Sequence, residues 1–174
     1  MLEHLWNGWR ATYVASLPSP GDTGSATASG AGASVFTQLL TSGLPDTDTH
    51  IVHRGQRVFA VLNAYPYATA HVLVLPLRQV AELEELTVDE TADLWATVTD
   101  AVRAIKTAYR PEGLNVGINL GRPAGGSVSQ HLHVHVVPRW TGDANFMTAV
   151  ANTRTLPEPL VDTAARVRAA WPRS

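Results

Sequence analysis

Short apolar segments, some of them alternating with polar residues, recur in the middle of the chain between turn residues, which is the pattern of β-strands. Two of these segments, HIVHRG and RVFAVLNAYP, predict a hairpin around a turn at Gly55 and Gln56. The segments AHVLVLP, LNVGINLG and HLHVHVVPR predict further strands. The ordered core is therefore expected to begin near His50 and to contain four or five strands.

A different spacing of apolar residues predicts one long helix from Thr87 to Tyr109. These residues recur at intervals of three and four and form one stripe, which consists of Val88, Trp95, Val98, Val102, Ile105 and Tyr109. Thr87 and Glu90 form a capping box at its start, and Pro111 follows its end. The segment LVDTAARVRAAW predicts a C-terminal helix. Strands joined by hairpins, with one long helix between strands, indicate an α+β fold with an antiparallel sheet.

The N-terminal part of the chain differs from this core. Residues 1–17 have apolar residues at helical spacing and predict an amphipathic helical segment. Residues 18–33 are almost all Gly, Ala, Ser, Thr and Pro, which predicts a flexible linker or loop. We therefore expect three parts: the helical segment at 1–17, the linker at 18–33, and a main domain with a C-terminal extension at 34–174.

Composition and charge exclude several functional classes. The chain has 174 residues, a net charge of -2 and 45% hydrophobic residues, which fits one globular domain that binds neither nucleic acid nor a membrane surface. It contains no cysteine, so it has no disulfide framework and no thiolate metal site. No apolar run is long enough to span a bilayer, and no signal peptide is recognisable. We therefore expect a cytoplasmic protein.

The segment QHLHVHVVPRW places His131, His133 and His135 at every second position. On a strand, these three side chains share one face, while the apolar residues between them point to the other. Three interpretations are open: hydrogen-bonded structural histidines, a zinc site, or nucleophilic catalysis by a neutral imidazole. The preceding loop, GRPAGGS, favours the third, because glycine N–H groups can approach phosphate oxygens closely.

The segment HLHVHVVPRW resembles the defining motif of the histidine triad family, in which histidines alternate with apolar residues. The segments FAVLNAYPYATAHVLVLPLRQVAELEELT and NVGINLG extend the resemblance over about Ile51 to Asn145. Within the family, LWNGWRATYV, PEGLNVGINLG and PRWTGDANF look closest to the diadenosine tetraphosphate phosphorylases of actinobacterial type. The resemblance implies a five-stranded antiparallel sheet with one long helix and a C-terminal helix, assembled as a homodimer or higher homo-oligomer.

The resemblance also implies a role for each site residue. His133 matches the nucleophile that attacks the α-phosphorus and forms a nucleotidyl-histidine intermediate. His135 would contact the phosphate or leaving group, His131 would orient the site, and His71 matches the remaining site histidine. Asn63 matches a residue that contacts the ribose. The other expected substrate contacts are Asn119, Gly125, Gly126 and Ser127 at the phosphates, Phe59 at the base, and Arg139 at the distal part of the substrate.

Two departures from the family pattern affect these expectations. Many relatives bind zinc through Cys-x-x-Cys ahead of the first core strand, where this chain has SVFT, Ser34 to Thr37. We therefore expect no structural metal and no required cofactor, with Mg²⁺ on the substrate phosphates as an open option. Relatives also usually have glycine before the site histidine, where this chain has Ala70, a change that is tolerated if the φ angle there is negative.

The leading functional hypothesis is phosphorolysis of diadenosine tetraphosphate to ADP and ATP through a nucleotidyl-histidine. The alternatives within the enzyme class are a dinucleoside polyphosphate hydrolase and a nucleoside phosphoramidase. A non-catalytic nucleotide-binding module and a non-catalytic metal protein are alternatives from other classes. The expected small-molecule partners are a nucleotide or dinucleoside polyphosphate and inorganic phosphate.

Overall fold

The computed structural model of the chain describes residues 32–144 and 157–172. The helical segment predicted at 1–17 lies outside these residues. The linker predicted at 18–33 also lies outside them, except for Gly32 and Ala33, which are exposed.

The described residues form four α-helices, five β-strands and two short 3₁₀ turns. The first two helices precede the sheet and are α1 (Val35–Thr41) and α2 (Asp46–Thr49). The strands are β1 (Ile51–Arg54), β2 (Val58–Leu62), β3 (Val72–Pro76), β4 (Gly113–Ile118) and β5 (Val134–Arg139). The long helix is α3 (Val88–Tyr109), the C-terminal helix is α4 (Leu160–Ala169), and the 3₁₀ turns are Leu83–Glu85 and Arg122–Ala124.

All five strands belong to one antiparallel sheet in the order β1-β2-β3-β5-β4. This confirms the predicted fold class. The β1–β2 hairpin closes through the Gly55 N–H, which donates to the Val58 carbonyl at 2.8 Å. Strand β5 lies between β3 and β4, so that His135 pairs with Leu73 on one side and with Gly117 on the other.

Helix α3 packs against one face of the sheet and contributes Leu94, Val98, Ala101, Ala104 and Ile105 to the main core. Its predicted bounds and capping box are confirmed, with Thr87 accepting from the Glu90 N–H and Glu90 accepting from the Thr87 N–H. The predicted apolar stripe is partly wrong, because Val88 is 86% exposed and Trp95 is 44% exposed. Trp95 is turned about 100° from the buried Leu94 around the helix axis, which takes it off the buried face.

A second apolar cluster lies on the other face of the sheet. It consists of Ile51, Phe59, Val61, Leu73 and Leu75, covered by Phe36, Leu39 and Leu40 of α1. No element was predicted between the linker and His50, so α1 is an addition to the predicted fold. Because Leu73 pairs with His135, this cluster lies beside the histidine segment.

The two edges of the sheet differ in how they are covered. Helix α4 packs against β1, where Arg168 donates hydrogen bonds to the carbonyls of Ile51 and Asp46 at 2.9 and 2.8 Å. Strand β4 forms the other edge, and its residues 115–117 are exposed. Among the helices that the structure describes, none is long and apolar enough to cross a membrane.

Candidate active site

Four histidines converge at the centre of the sheet. His135 lies within β5, His71 immediately precedes β3, and the ring centroids of these two are 5.1 Å apart. The prediction that one strand carries all three triad histidines is partly wrong, because β5 begins at Val134 and His131 and His133 precede it. The Leu132 N–H donates outside the sheet, to the Val80 carbonyl at 2.7 Å. All four imidazoles are buried, and the most exposed, His135, is only 9% exposed.

The proton position on His133 follows from one backbone contact. Its Nδ1 lies 2.8 Å from the carbonyl oxygen of His131, and a carbonyl can only accept. Nδ1 therefore has the proton, and Nε2 keeps its lone pair. Burial lowers the pKa of His133, so the ring stays neutral at neutral pH. His133 thus has the form that a nitrogen nucleophile requires.

The proton position on His71 is set in the same way. Its Nδ1 accepts from the Tyr67 N–H at 3.1 Å and faces the Asn63 amide nitrogen at 3.3 Å. The Asn63 amide is oriented by its oxygen, which accepts from the Tyr65 N–H at 3.0 Å. With donors on Nδ1, His71 has its proton on Nε2 and donates to Nδ1 of His135 at 2.9 Å.

His135 must therefore have its own proton on Nε2. Burial first, and the neighbouring His133 second, lower the pKa of His135 to about 4, so the ring is a neutral donor at neutral pH. Asn119 lies 3.4 Å from this Nε2, and the contact is a hydrogen bond only when the amide presents its oxygen. The ring of Tyr67 stacks on His135 at 5.8 Å with an interplanar angle of 12°.

His131 has hydrogen bonds at both ring nitrogens. Its Nε2 donates to the Pro76 carbonyl at 2.9 Å, and its Nδ1 lies 2.7 Å from the hydroxyl of Ser34. Burial lowers the pKa of His131, in keeping with a neutral ring. Phe36 of α1 contacts His131 edge-on at 5.7 Å and His133 at 5.5 Å. The first histidine therefore joins α1, β3 and the triad.

In the glycine-rich loop between β4 and β5, the N–H groups that were expected to bind phosphate donate to carbonyls of the loop itself. Gly125 donates to the Arg122 carbonyl at 2.9 Å, and Gly126 donates to the Gly121 carbonyl at 3.2 Å. A Cβ on Gly126 would lie 2.9 Å from that carbonyl oxygen, so this close approach requires glycine. In this arrangement the two glycines close the loop, whereas Ser127 is exposed.

Two other expected substrate residues are not brought to the imidazoles. Arg139 forms an ion pair with Asp143 through two contacts of 2.6 and 2.8 Å and also donates to Asn115. The Arg139 guanidinium lowers the pKa of Asp143 to about 2, so the carboxylate stays charged at neutral pH and neutralises the guanidinium. Phe59 is fully buried in the cluster beneath α1, so its ring does not line an open surface.

The two departures from the family pattern concern a metal-binding segment and the backbone at Ala70. Among the described residues, no three or more His, Cys, Asp or Glu side chains are grouped to hold a metal ion. Alanine at position 70 was expected to be tolerated if its φ angle were negative, but this angle is +61°. This left-handed backbone is strained for alanine by roughly 1–2 kcal/mol, and it places His71 at the entrance of β3.

Sequence reasoning missed three residues that shape the site: Ser34, Phe36 and Tyr67. A signal for the first two existed, since Ser34 precedes apolar residues at helical spacing, Phe36, Leu39 and Leu40. Nothing in the sequence marks Tyr67, because its stacking on His135 depends on the path of the loop between β2 and β3.

Together these contacts place one unprotonated and one protonated ring nitrogen side by side. His133 offers a lone pair at Nε2, and His135, with its ring centroid 5.0 Å away, offers a proton at Nε2. Such a pair can attack an electrophilic phosphorus and donate a hydrogen bond to the departing oxygen without a prior change in protonation.

Comparisons with known proteins agree with this chemistry. The model of the HIT domain matches residues 45–142. The AP-4-A phosphorylase of Mycobacterium tuberculosis is 46% identical over 172 residues, which cover 99% of this chain and 86% of that protein. The bis(5'-adenosyl)-triphosphatase of Saccharomyces cerevisiae is 37% identical over 91 residues, 52% of this chain and 44% of that enzyme. A solved histidine triad nucleotide-binding protein of Sulfolobus tokodaii has a TM-score of 0.63 and 28% identity, covering 78% of this chain and 89% of that one.

Proposed function

The chain belongs to the HIT domain family, and on that premise we propose that it is an enzyme that transfers a nucleotidyl group from dinucleoside polyphosphates. The specific reaction we propose is phosphorolysis of diadenosine tetraphosphate to ADP and ATP. The similarity to the AP-4-A phosphorylase, which extends over nearly the whole chain, supports this choice. The structural observation that supports it most directly is the unprotonated Nε2 of His133, set by the contact of Nδ1 with the His131 carbonyl.

In the first half-reaction, Nε2 of His133 attacks the α-phosphorus. A P–N bond forms and the bond to the bridging oxygen breaks, which releases ATP and leaves AMP on His133. The departing oxygen accepts a hydrogen bond from the Nε2–H of His135, which stabilises the negative charge that develops on it, and ATP leaves as the anion. His71 supports this contact, because its own Nε2 proton faces Nδ1 of His135 and stabilises the tautomer that donates. Asn119 lies beside the same Nε2, where it would contact a phosphate oxygen.

In the second half-reaction, an oxygen of inorganic phosphate attacks the phosphorus of the intermediate. The P–N bond breaks, the lone pair returns to His133, and ADP leaves. Phosphate brings negative charge to an anionic intermediate, so the site needs donors beyond those that water requires. Ser127 is the candidate donor in the loop, because Gly125 and Gly126 donate to the loop itself and Arg139 is paired with Asp143.

The same shortage of donors favours the second candidate, a hydrolase in which water completes the reaction. The bis(5'-adenosyl)-triphosphatase of yeast, which covers half of this chain, is a relative of that type. Phosphorolysis remains our first proposal, because the AP-4-A phosphorylase matches a larger share of the chain at higher identity.

Product analysis with diadenosine tetraphosphate separates the two. We expect turnover to rise steeply with inorganic phosphate and to yield ADP and ATP in equal amounts. AMP and ATP as the main products, with no response to phosphate, would identify a hydrolase and leave the role of His133 intact. Turnover of nucleoside phosphoramidates alone would identify a phosphoramidase, and binding without any turnover would identify a nucleotide-binding module.

We also propose a homodimer in which two β4 edges meet. Three consecutive residues of this strand, 115–117, are exposed, and an uncovered edge strand is a template for pairing with another strand. Light scattering that shows only monomer at micromolar concentration would contradict this. A cytoplasmic location is a further proposal.

We propose that catalysis needs no resident metal, since the imidazoles supply both the nucleophile and a hydrogen-bond donor to the leaving group. Mg²⁺ would then enter only with the substrate phosphates. Restoration by Mg²⁺ of all activity lost after chelation is the expected outcome, and a requirement for zinc would contradict it.

A further inference from the structure

Ser34 is a fully buried polar residue that connects α1 to the triad. Its side chain and backbone are 0% exposed, although it lies at the start of a short helix next to the exposed Ala33. Its hydroxyl oxygen lies 2.7 Å from Nδ1 of His131 and accepts from the Thr37 N–H at 3.1 Å. Its own N–H donates to the side-chain oxygen of Gln79 at 2.7 Å. Buried polar groups are normally hydrogen-bonded, and the partner of this hydroxyl is an imidazole of the triad.

The direction of the contact between Ser34 and His131 can be derived. Nε2 of His131 faces the Pro76 carbonyl at 2.9 Å and therefore has the proton. In the neutral ring, Nδ1 is then an acceptor, and the Ser34 hydroxyl donates to it. The Ser34 oxygen keeps its lone pairs for the Thr37 N–H.

This contact acts on His133 through two routes. The first is the backbone of His131, whose carbonyl accepts from Nδ1 of His133 and sets its tautomer. Because the His131 ring is bonded at both nitrogens, its backbone has little freedom to turn away. The second is Phe36, two residues after Ser34, whose ring contacts His133 at 5.5 Å.

We propose that Ser34 is a positioning residue for the nucleophile. Its hydroxyl fixes the ring of His131, and through His131 and Phe36 it fixes the direction in which Nε2 of His133 points. The inference rests on the proposed function, since it concerns the orientation of the attacking nitrogen. It assigns to Ser34 an effect on the chemical step and not on substrate affinity.

The competing explanation is that Ser34 only caps α1, because its hydroxyl also accepts from the Thr37 N–H. Glycine separates the two roles. Replacing an N-cap serine by glycine lowers helix stability only slightly, whereas replacing it by alanine lowers helix stability more. Neither residue can donate to His131. Thr87→Ala is the matched control, because it removes the N-cap of α3, and Thr87 makes its side-chain hydrogen bond within that helix start.

The experiment measures kcat, KM and melting temperature for Ser34→Ala, Ser34→Gly and Thr87→Ala with diadenosine tetraphosphate and phosphate. We expect both Ser34 variants to lose kcat by about tenfold, as a small misplacement of reacting groups does, with KM within about twofold of the wild type. Ser34→Gly should melt closer to the wild type than Ser34→Ala. Thr87→Ala should melt lower but keep its kcat.

A Ser34→Gly variant with wild-type kcat would overturn the proposal, because capping alone would then explain Ser34. A Ser34→Gly variant that does not fold would overturn it as well, since the contact would serve the fold. If Ser34→Ala alone fails to fold, Ser34→Gly provides the test.

Nuclear magnetic resonance of the histidine rings tests the role of Ser34 without measuring turnover, so failure of this proposal can be told apart from failure of the proposed function. In the wild type, Nδ1 of His131 should resonate as a nitrogen that accepts a hydrogen bond. In both Ser34 variants it should move toward the position of an unbonded imine nitrogen, and the His133 ring signals should shift with it. Unchanged His133 signals would contradict the coupling. A wild type without turnover would instead disprove the proposed function.

Discussion

Replacing Asn63 by leucine tests how the proton on His135 is held in place. The Asn63 amide nitrogen is one of two donors to Nδ1 of His71, at 3.3 Å, and the Tyr67 N–H is the other, at 3.1 Å. These donors keep the His71 proton on Nε2, which in turn keeps the His135 proton on the nitrogen that serves the leaving group. Leucine has the same branching at Cγ but cannot donate a hydrogen bond.

The effect on kcat follows from the loss of the hydrogen bond to His71, because the second bond that leucine removes, from the Tyr65 N–H to the Asn63 oxygen, does not reach an imidazole. A net contribution of about 0.5–1.5 kcal/mol corresponds to a factor of roughly 2 to 13 in rate. Because the Tyr67 N–H remains and still favours the same tautomer, we expect the lower part of this range, a loss of about two- to fivefold in kcat. The family resemblance predicts something else for Asn63, a ribose contact, and losing that contact would raise KM at constant kcat.

Steady-state kinetics with diadenosine tetraphosphate at saturating phosphate distinguish the two outcomes. Gln56→Leu is the control, since it removes a side-chain amide from the exposed turn of the β1–β2 hairpin. If Asn63→Leu is folded, has the wild-type kcat and shows only a raised KM, our assignment of the donors to His71 is refuted. A loss of more than about a hundredfold would also refute it, because one net hydrogen bond cannot account for that factor.

Three further predictions concern the nucleophile, the effect of pH and the backbone. His133→Ala should abolish turnover while nucleotide binding stays measurable by calorimetry, because only the chemical step is lost; a variant that retains most of its activity would contradict the assignment. Burial lowers the pKa of His133, and burial and His133 lower the pKa of His135 to about 4, whereas in the unfolded chain both have the ordinary value of 6.5. The unfolded chain then binds more protons, so the free energy of unfolding should fall as pH drops from about 6.5 toward 4, and denaturant melts that show no such fall would contradict this. Ala70→Gly should relieve the left-handed strain and raise the melting temperature by about 2–4 °C per kcal/mol relieved, with kcat unchanged; calorimetry that shows an unchanged or lower value would be evidence against strain at this position.

Most of the sheet was predictable because short apolar segments bounded by turn residues are a local signal. Each of the five strands overlaps such a predicted segment, and the β1–β2 hairpin follows from the turn at Gly55 and Gln56. The long helix was predictable for the same reason, from its spacing and from the Thr87 capping box. The buried face of this helix was less predictable. Ala101 and Ala104 pack closely against the sheet, while the larger Trp95 is partly exposed, so residue size did not indicate burial.

The four histidines of the site were predictable, but their protonation was not. His131, His133 and His135 are marked by their spacing, and the structure brings His71 to them. The proton positions depend on backbone atoms that only the fold brings near: the carbonyls of Pro76 and His131, and the N–H of Tyr67. The closure of the glycine loop on itself was not predictable either, because the sequence does not show whether a glycine N–H faces a ligand or its own loop.

The tautomers of the site histidines have a consequence for chemical labelling. His131 and His71 have hydrogen bonds at both ring nitrogens, and His135 accepts at Nδ1 and has a proton on Nε2. Within the part of the chain that the structure describes, no hydrogen bond reaches Nε2 of His133, which keeps an unshared lone pair. An acylating reagent such as diethyl pyrocarbonate reacts with unprotonated imidazole nitrogen, so it should select His133 among the four. Because the chain has three further histidines, labelling at His133 would be read by peptide mapping, and its stoichiometry would count the correctly folded active sites in a preparation before any substrate is added.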